Sequence, residues 1–336
     1  MRSIGWVRAF AAFCAASGTL GCHAAEPVML KFSHFLGPQS FFQRDVAEPW
    51  AKRLEEKSAG KFKVEVFNAS SPYGDVRKQA GQVKDGTVDI ALGLRGAEGD
   101  RFPATSVIEL PFLVRDSEGG SRALWSLYQG GALNAEYKDY KLLALFVHDP
   151  GLIHTREKRV VSLADLKGLK LRAPNKTVAT ALEFAGATPA VLQVNEVMPA
   201  VQKGEIDGIV TNWANPLPDF NVYMKKHTDT KFYTSAFFIV MNRAKYEGLP
   251  AELRGTIDAL SGEVWVAELG QLWNKWAEPV RSGAAAPGHE IIVPDAATMA
   301  GWRDGLKPVT DKYLDELGKS VPGARETYRK LLELLR

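Results

Sequence analysis

Cysteine is nearly missing from this chain. Two occur in 336 residues, Cys14 and Cys22, so everything beyond position 22 lacks disulfides, thiol nucleophiles and thiolate metal ligands. Beyond the first 25 positions no apolar run approaches the roughly 18 residues a membrane span requires. An excess of one charge is lacking too: 42 Lys and Arg against 39 Asp and Glu leave a formal net charge of +3, too little for the basic stripe of a nucleic-acid binder. Catalytic signatures are absent, with no Gly-x-Ser-x-Gly elbow, His-Glu-x-x-His, Walker loop or Gly-x-Gly-x-x-Gly. "GLRGAEGD" (93–100) is glycine-rich but wrongly spaced for a phosphate cradle and reads as a loop. Apart from His23 the histidines are His34, His148, His154, His227 and His289, and none pairs with another at metal-ligand spacing. No metal and no cofactor is expected.

The first stretch is set apart from the fold. Arg2 and Arg8 precede a small and apolar run from Ala9 to Gly21, and no acid appears before Glu26. This pattern predicts a signal peptide over residues 1–24, with Cys22-His23-Ala24 as the small-x-small cleavage site. The alternative is a lipid on Cys22, disfavoured because Thr19 stands where a lipobox carries leucine. Removing the leader takes two arginines with it and leaves a nearly neutral, exported, periplasmic product.

Strand-like and helical runs then alternate. "VMLKFSH" (28–34), "KFKVEVF" (61–67), "VDIALGL" (88–94) and "KLLALFV" (141–147) read as strands, with helices near Phe42–Lys57, 74–86 and Gly119–Leu127. A second set follows in "LIHT" (152–155), "LKLRA" (169–173), "TPAVL" (188–192) and "IDGIVTN" (206–212), and "FFIVMNR" (237–243) is one more strand. With no proline between Glu252 and Glu278, one extended helix is expected over Pro250 to about Val280. The tail "GARETYRKLLELLR" is amphipathic, with Tyr328, Leu331, Leu332 and Leu335 on one face. This order implies an α/β fold with largely parallel sheets. The length suggests two domains, and no flexible linker separates them. The expected architecture is two lobes joined by strands that cross between them, with a long helix in the C-terminal half. Lobe I takes 25–149 with 238–277, and lobe II takes 150–237 with 278–336.

Within "LKGLKLRAPN" (166–175) the proline ends the strand, so Arg172 stands at its C-terminal edge. In open α/β sheets that edge binds ligands, and a guanidinium suits bidentate carboxylate recognition. "GEIDGIVTNW" (204–213) places Asn212 and Trp213 at a second such edge, an amide beside an aromatic wall. His34 and His148 each end a predicted strand and are candidates for the same cleft.

"SLADLKGLKLRAPN" followed by "GATPAVLQVNEVMPAVQKGEIDGIVTN" resembles the solute-binding subunits of TRAP (tripartite ATP-independent periplasmic) transporters of the DctP type. "VEVFNASSPYGDVRKQAGQVKDGTVDIAL", "IELPFLVRDSE" and "FFIVMNRAKYEGLPAELRGTI" are similar to that family as well. The resemblance implies a periplasmic receptor, not an enzyme, with the two-lobed, type II-like Venus flytrap fold of a periplasmic binding protein, that closes on a small organic acid and docks on integral membrane permease subunits. It implies that Arg172 pairs with the ligand carboxylate, that Asn212 assists, and that Val194 packs on the ligand. Many members carry a further cleft arginine, and Leu152 falls at its place here. A monocarboxylate is therefore expected over a C4-dicarboxylate, with Trp213 and Phe237 or Phe238 reinforcing the apolar side. Arg95, Arg101 or a protonated His148 are the residues that could restore a second charge. No nucleic-acid partner is expected, and the protein should be a monomer. Two other readings are an exported α/β enzyme, hydrolase-like, orienting a carboxylate substrate through Arg172, and a binding protein of an ATP-driven importer or a sensor.

Overall fold

Clean alternation over Val28–Ser33 and Phe62–Phe67, and apolar runs over Ile90–Leu94 and Tyr140–Val147, give half-buried and fully buried strands respectively. The computed structural model describes residues 26–336 apart from Pro216 and Pro218. The expected signal peptide, with its cleavage or lipid site at Cys22, lies outside the described residues. The eleven strands are β1 (Val28–Ser33), β2 (Phe62–Phe67), β3 (Ile90–Leu94), β4 (Tyr140–Val147), β5 (Gly151–Thr155), β6 (Lys170–Ala173), β7 (Thr188–Val191), β8 (Gly208–Thr211), β9 (Lys226–Tyr233), β10 (Ala236–Asn242) and β11 (Glu290–Ile292). They form two sheets, ordered β2-β1-β3-β10-β4 and β11-β9-β5-β8-β6-β7. β1 is parallel to β2 and β3, and β6 to β7 and β8. β10 runs antiparallel between β3 and β4, as β5 does between β8 and β9. No described helix is long and apolar enough to cross a membrane.

Each sheet builds its own core, the second divided by its sheet into two clusters, and the chain passes between the sheets repeatedly. β4 leads to β5 through His148-Asp149-Pro150, and β9 returns to β10 through Thr234-Ser235. The helix Glu263–Gly283 buries Trp265, Leu269, Trp273 and Trp276 in the first core, and Ala284 beyond its end enters the second. The helix Ala296–Gly318 gives Trp302, Leu306 and Val309 to the second core, then Leu314 and Leu317 to the first. The terminal helix Ala324–Leu334 packs Ala324 and Leu331 into the first core, whereas the division expected from sequence groups 278–336 with the second.

Two elements differ from the sequence reading. The single helix expected over 250–280 is two, Ala251–Asp258 and Glu263–Gly283. The break is glycine rather than proline: Gly262 has φ +75°, a left-handed conformation costly for any side chain, and its N–H bonds Leu143 O at 2.7 Å. The helix expected over 74–86 shrinks to Gln79–Lys84 because the Gln79 amide donates to the carbonyls of Tyr73 and Asp75, holding the preceding residues in a turn.

Gly151 opens β5 at the first crossing, with the Tyr233 ring lying against its backbone. A Cβ there would stand 2.0 Å from Tyr233 Cε1, so alanine must push the ring off the crossing. Gly151→Ala should destabilise the protein by roughly 1–3 kcal/mol, the usual cost of overpacking, as measured by urea denaturation. Unchanged stability would show that Tyr233 is free to move.

Candidate functional site

The C-terminal edges of β6 and β8 face the first lobe across a cleft of about 510 Å³. On β6 the local sequence fixes Arg172. Pro174 follows the strand, and Asn175 caps the next helix by accepting from the Val178 N–H at 2.9 Å, so the arginine cannot slide outward. Its Nε donates to Leu192 O at 3.1 Å, just past β7, and Nη1 donates to Val210 O at 3.0 Å on β8. Those two bonds use two of five N–H donors. Arg172 is only 5% exposed, yet no carboxylate of the described residues lies within ion-pair distance. Burial lowers its pKa, partly offset by the Tyr233 hydroxyl and distant Glu196. The site is short of one anion.

Beside it, Asn212 follows β8. Its Nδ2 donates to the buried Asp149 carboxylate, which also accepts the N–H of Trp213 at 3.0 Å and of Ala214 at 3.3 Å. Burial pushes Asp149 up to about 7 despite these donors. His148 accepts the Ser235 N–H at Nε2 (3.0 Å), so its proton sits on Nδ1 and is donated to Asp149 O. Its own carbonyl accepts from Thr234 Oγ1 at 2.9 Å. Burial, with Arg172 nearby, pushes His148 down to about 4. A neutral imidazole with both nitrogens occupied ties the two crossings together, and it does not supply a second charge.

The opposing wall is aromatic. Phe41 stacks on Trp276 at 5.5 Å, Phe237 stacks on Trp273 at 5.4 Å, and the two indoles meet edge-on at 5.2 Å. Trp276 is fixed by its Nε1 donating to Asp45 Oδ2 at 2.9 Å. Among the described residues lining this cleft, Arg172 is the one charged side chain.

Of the residues singled out in the sequence, Arg172, Asn212, His148, Val194 and Phe237 line the cleft. The other six do not. Trp213 turns behind Asn212, its ring against His154 and His227, because Asp149 captures its backbone N–H on the cleft side. Leu152 is fully buried in the second core with Val197 and Ile209, away from the cleft. Arg95 is paired with the buried Glu109 at 2.7 Å. His34, fully buried, bonds Gln43 through Nε2 and accepts the Leu36 N–H at Nδ1, supporting the loop that lines the cleft without reaching it. Arg101 bonds Glu98, and Phe238 packs on Phe102 on the other face of β10.

The sequence reading missed Trp273, Trp276, Tyr233 and Asp149. The i, i+3 spacing of the two tryptophans was the available signal. It also saw no histidine pair, whereas His154, His227 and His289 form a file, with ring nitrogens 2.8 and 3.1 Å apart. The rings follow one another rather than converge on a point, and no group of potential metal ligands occurs among the described residues.

The family model described as bacterial extracellular solute-binding protein, family 7, matches residues 32–316. The fold is similar to a TRAP solute binding protein from Rhodoferax ferrireducens T118, solved with copurified benzoate, at 32% identity and TM-score 0.86, covering 92% of this chain and 97% of that one. It is likewise similar to a marine metagenome TRAP solute binding protein specific for aromatic acid ligands, solved with 3-hydroxybenzoate, at 32% identity and TM-score 0.87, covering 93% and 98%. Among curated relatives, the C4-dicarboxylate-binding periplasmic protein DctP of Rhodobacter capsulatus is 26% identical over 89% of this chain and 90% of its own length.

The His148 geometry sets a test. A histidine depressed to about 4 should remain the Nδ1–H tautomer from pH 8 down to about pH 5, with long-range proton–nitrogen spectra unchanged. Because its folded pKa lies below the unfolded value of about 6.5, it stabilises fully above pH 6.5 and loses that contribution as pH falls toward 4. A His148 signal titrating near 6.5 would contradict the bonding described.

Proposed function

The chain belongs to the family 7 bacterial extracellular solute-binding proteins, the receptors of TRAP transporters, and on that premise we propose that it captures an aromatic monocarboxylate in the periplasm and delivers it to integral membrane permease subunits. Its relatives are receptors for small organic acids rather than enzymes, and the hydrolase reading is not favoured. The observation that carries the ligand reading is the buried Arg172, unpaired among the described residues, as the one charged side chain lining a cleft whose opposing wall is aromatic.

A ligand carboxylate accepts the donors that the backbone carbonyls leave free. A carboxylate held bidentately in a dehydrated site is among the stronger polar contacts a protein makes. An aryl body then lies on the wall formed by Phe41, Phe237, Trp273 and Trp276 and gains from burial. A second carboxylate, as in a C4-dicarboxylate, would meet that wall without a partner, at a cost of several kcal/mol. The apolar side comes from the first lobe, not from Leu152. Benzoate in the Rhodoferax protein and 3-hydroxybenzoate in the metagenome protein support the same class. Lobes that share this cleft and meet at narrow crossings suit hinge closure on the ligand, which must bind the closed form better than the open one.

Three outcomes are expected. Arg172→Ala should keep the fold and lose about 30-fold to several thousand-fold in affinity, corresponding to roughly 2–5 kcal/mol, while Arg172→Lys recovers only part. In a thermal-shift panel, benzoate or another aromatic monocarboxylate should stabilise the protein more than succinate or malate. If a dicarboxylate stabilises it most, the ligand class is wrong. Small-angle scattering should show a smaller radius of gyration at saturation, and an unchanged profile would count against closure.

A further inference from the structure

An ionised carboxylate can only accept hydrogen bonds. The atom of Asn212 beside Asp149 is therefore nitrogen, and the amide cannot be turned end for end while Asp149 carries its charge. Asp149 is held against reorientation itself, since its second oxygen takes the N–H of both Trp213 and Ala214. It sits on the β4–β5 crossing, only 4% exposed, and does not line the cleft. Asn212 does line it, and its Oδ1 accepts no hydrogen bond from any described residue. The Asn215 side chain holds the turn as well, its Nδ2 donating to the carbonyls of Asn212 and Trp213 at 2.9 and 3.3 Å. Asp149 thus decides the polarity that a cleft residue offers.

We propose that Asp149 is a positioning residue for ligand selection, which locks the Asn212 amide with its oxygen available to the cleft, so that the site favours aromatic monocarboxylates bearing a hydroxyl over the same acids without one. This rests on the reading of the cleft as an aromatic monocarboxylate site. An acceptor opposite an aryl carboxylate gains only from a ligand donor, and a ligand that lacks one leaves Oδ1 dehydrated and unpaired on closure. Sites built around such a bond discriminate against the analogue lacking it more sharply than apolar pockets distinguish one methylene.

Asp149, raised to about 7 by burial, also gives the lock a pH dependence. Protonated, it can donate to Oδ1 and let the amide nitrogen turn to the cleft. The other ionisable groups around it are His148 on the same crossing, Tyr233 at the end of β9, Arg172 on β6 and Glu109, which accepts the Ala236 N–H at 3.0 Å. His148 is neutral throughout this range, burial raises Tyr233 far beyond it, Arg172 keeps its charge and Glu109 is held in its ion pair with Arg95, which leaves Asp149 as the group that changes.

The test compares two ligand pairs by calorimetry, each setting a hydroxyl that can donate against a group that can only accept: mandelate against phenylglyoxylate, and 3-hydroxybenzoate against 3-methoxybenzoate. At pH 8 the wild type should bind the hydroxylated member of at least one pair about tenfold more tightly, with that ratio shrinking below pH 7. Asp149→Asn keeps the volume and can still accept from Trp213 and Ala214, yet it can donate to Asn212 and release the lock. It should bring the ratio to about twofold or less at every pH while leaving Arg172-dependent binding in place. A wild type indifferent to the hydroxyl in both pairs, or an Asp149→Asn variant that keeps the wild-type ratio and pH profile, overturns the proposal. If no aromatic monocarboxylate binds, the ligand reading fails, and the lock is judged in the free protein instead. There the Asn212 side-chain amide resonances should shift with an apparent pKa near 7 in the wild type and not in Asp149→Asn, and resonances insensitive to pH overturn it.

Discussion

A guanidinium held in the interior by two backbone carbonyls and no carboxylate is the constraint around which the second lobe is arranged. Arg172 needs Leu192 O from one side and Val210 O from the other, so β6 must lie between β7 and β8, with all three ending at nearly the same level. Parallel pairing supplies that, and Pro174 stops β6 where the side chain is wanted. The charge is buried at a cost that no carboxylate of the described residues offsets, and an anion taken into the cleft would recover it.

The crossings give the cleft its floor. His148 and Asp149, adjacent in sequence, each spend their polar atoms on the other side of a junction: His148 on the Thr234-Ser235 return, and Asp149 on the turn after β8. Neither side chain is left to meet the ligand as a charge. The cleft keeps one charged side chain among its described residues, the amides of Gln39, Asn212 and Asn215, and a wall of rings.

Arg172 was legible because a strand pattern, a proline and a capped helix are local signals that need no tertiary knowledge. Asn212 was legible in the same way, at the end of "GIVT". Trp213, its neighbour, was misread as a cleft residue because successive side chains point apart and the acid that turns it backward comes from Asp149, far earlier in the chain. Leu152 was misplaced because β5 is buried on both faces, so no alternation reveals which face looks toward the cleft. The strand β9 escaped notice since Thr228 and Thr230 are buried polar residues, and hydropathy reads such a run as a loop. Trp273 and Trp276 belong to a helix whose inward face looks the same in sequence whether it meets a core or a cavity. Gly262, pinned to Leu143 O at the start of the second helix, shows that two helices can be parted where no proline stands.

The helix Ala296–Gly318 contributes to both cores and carries Pro308 within it, between the residues that serve one lobe and most of those that serve the other. A proline has no N–H for the carbonyl one turn back, so the rod is softest near the place where it passes from lobe to lobe. Any change in the angle between the lobes would have to bend this rod, because it is packed into both cores, although it lines no part of the cleft.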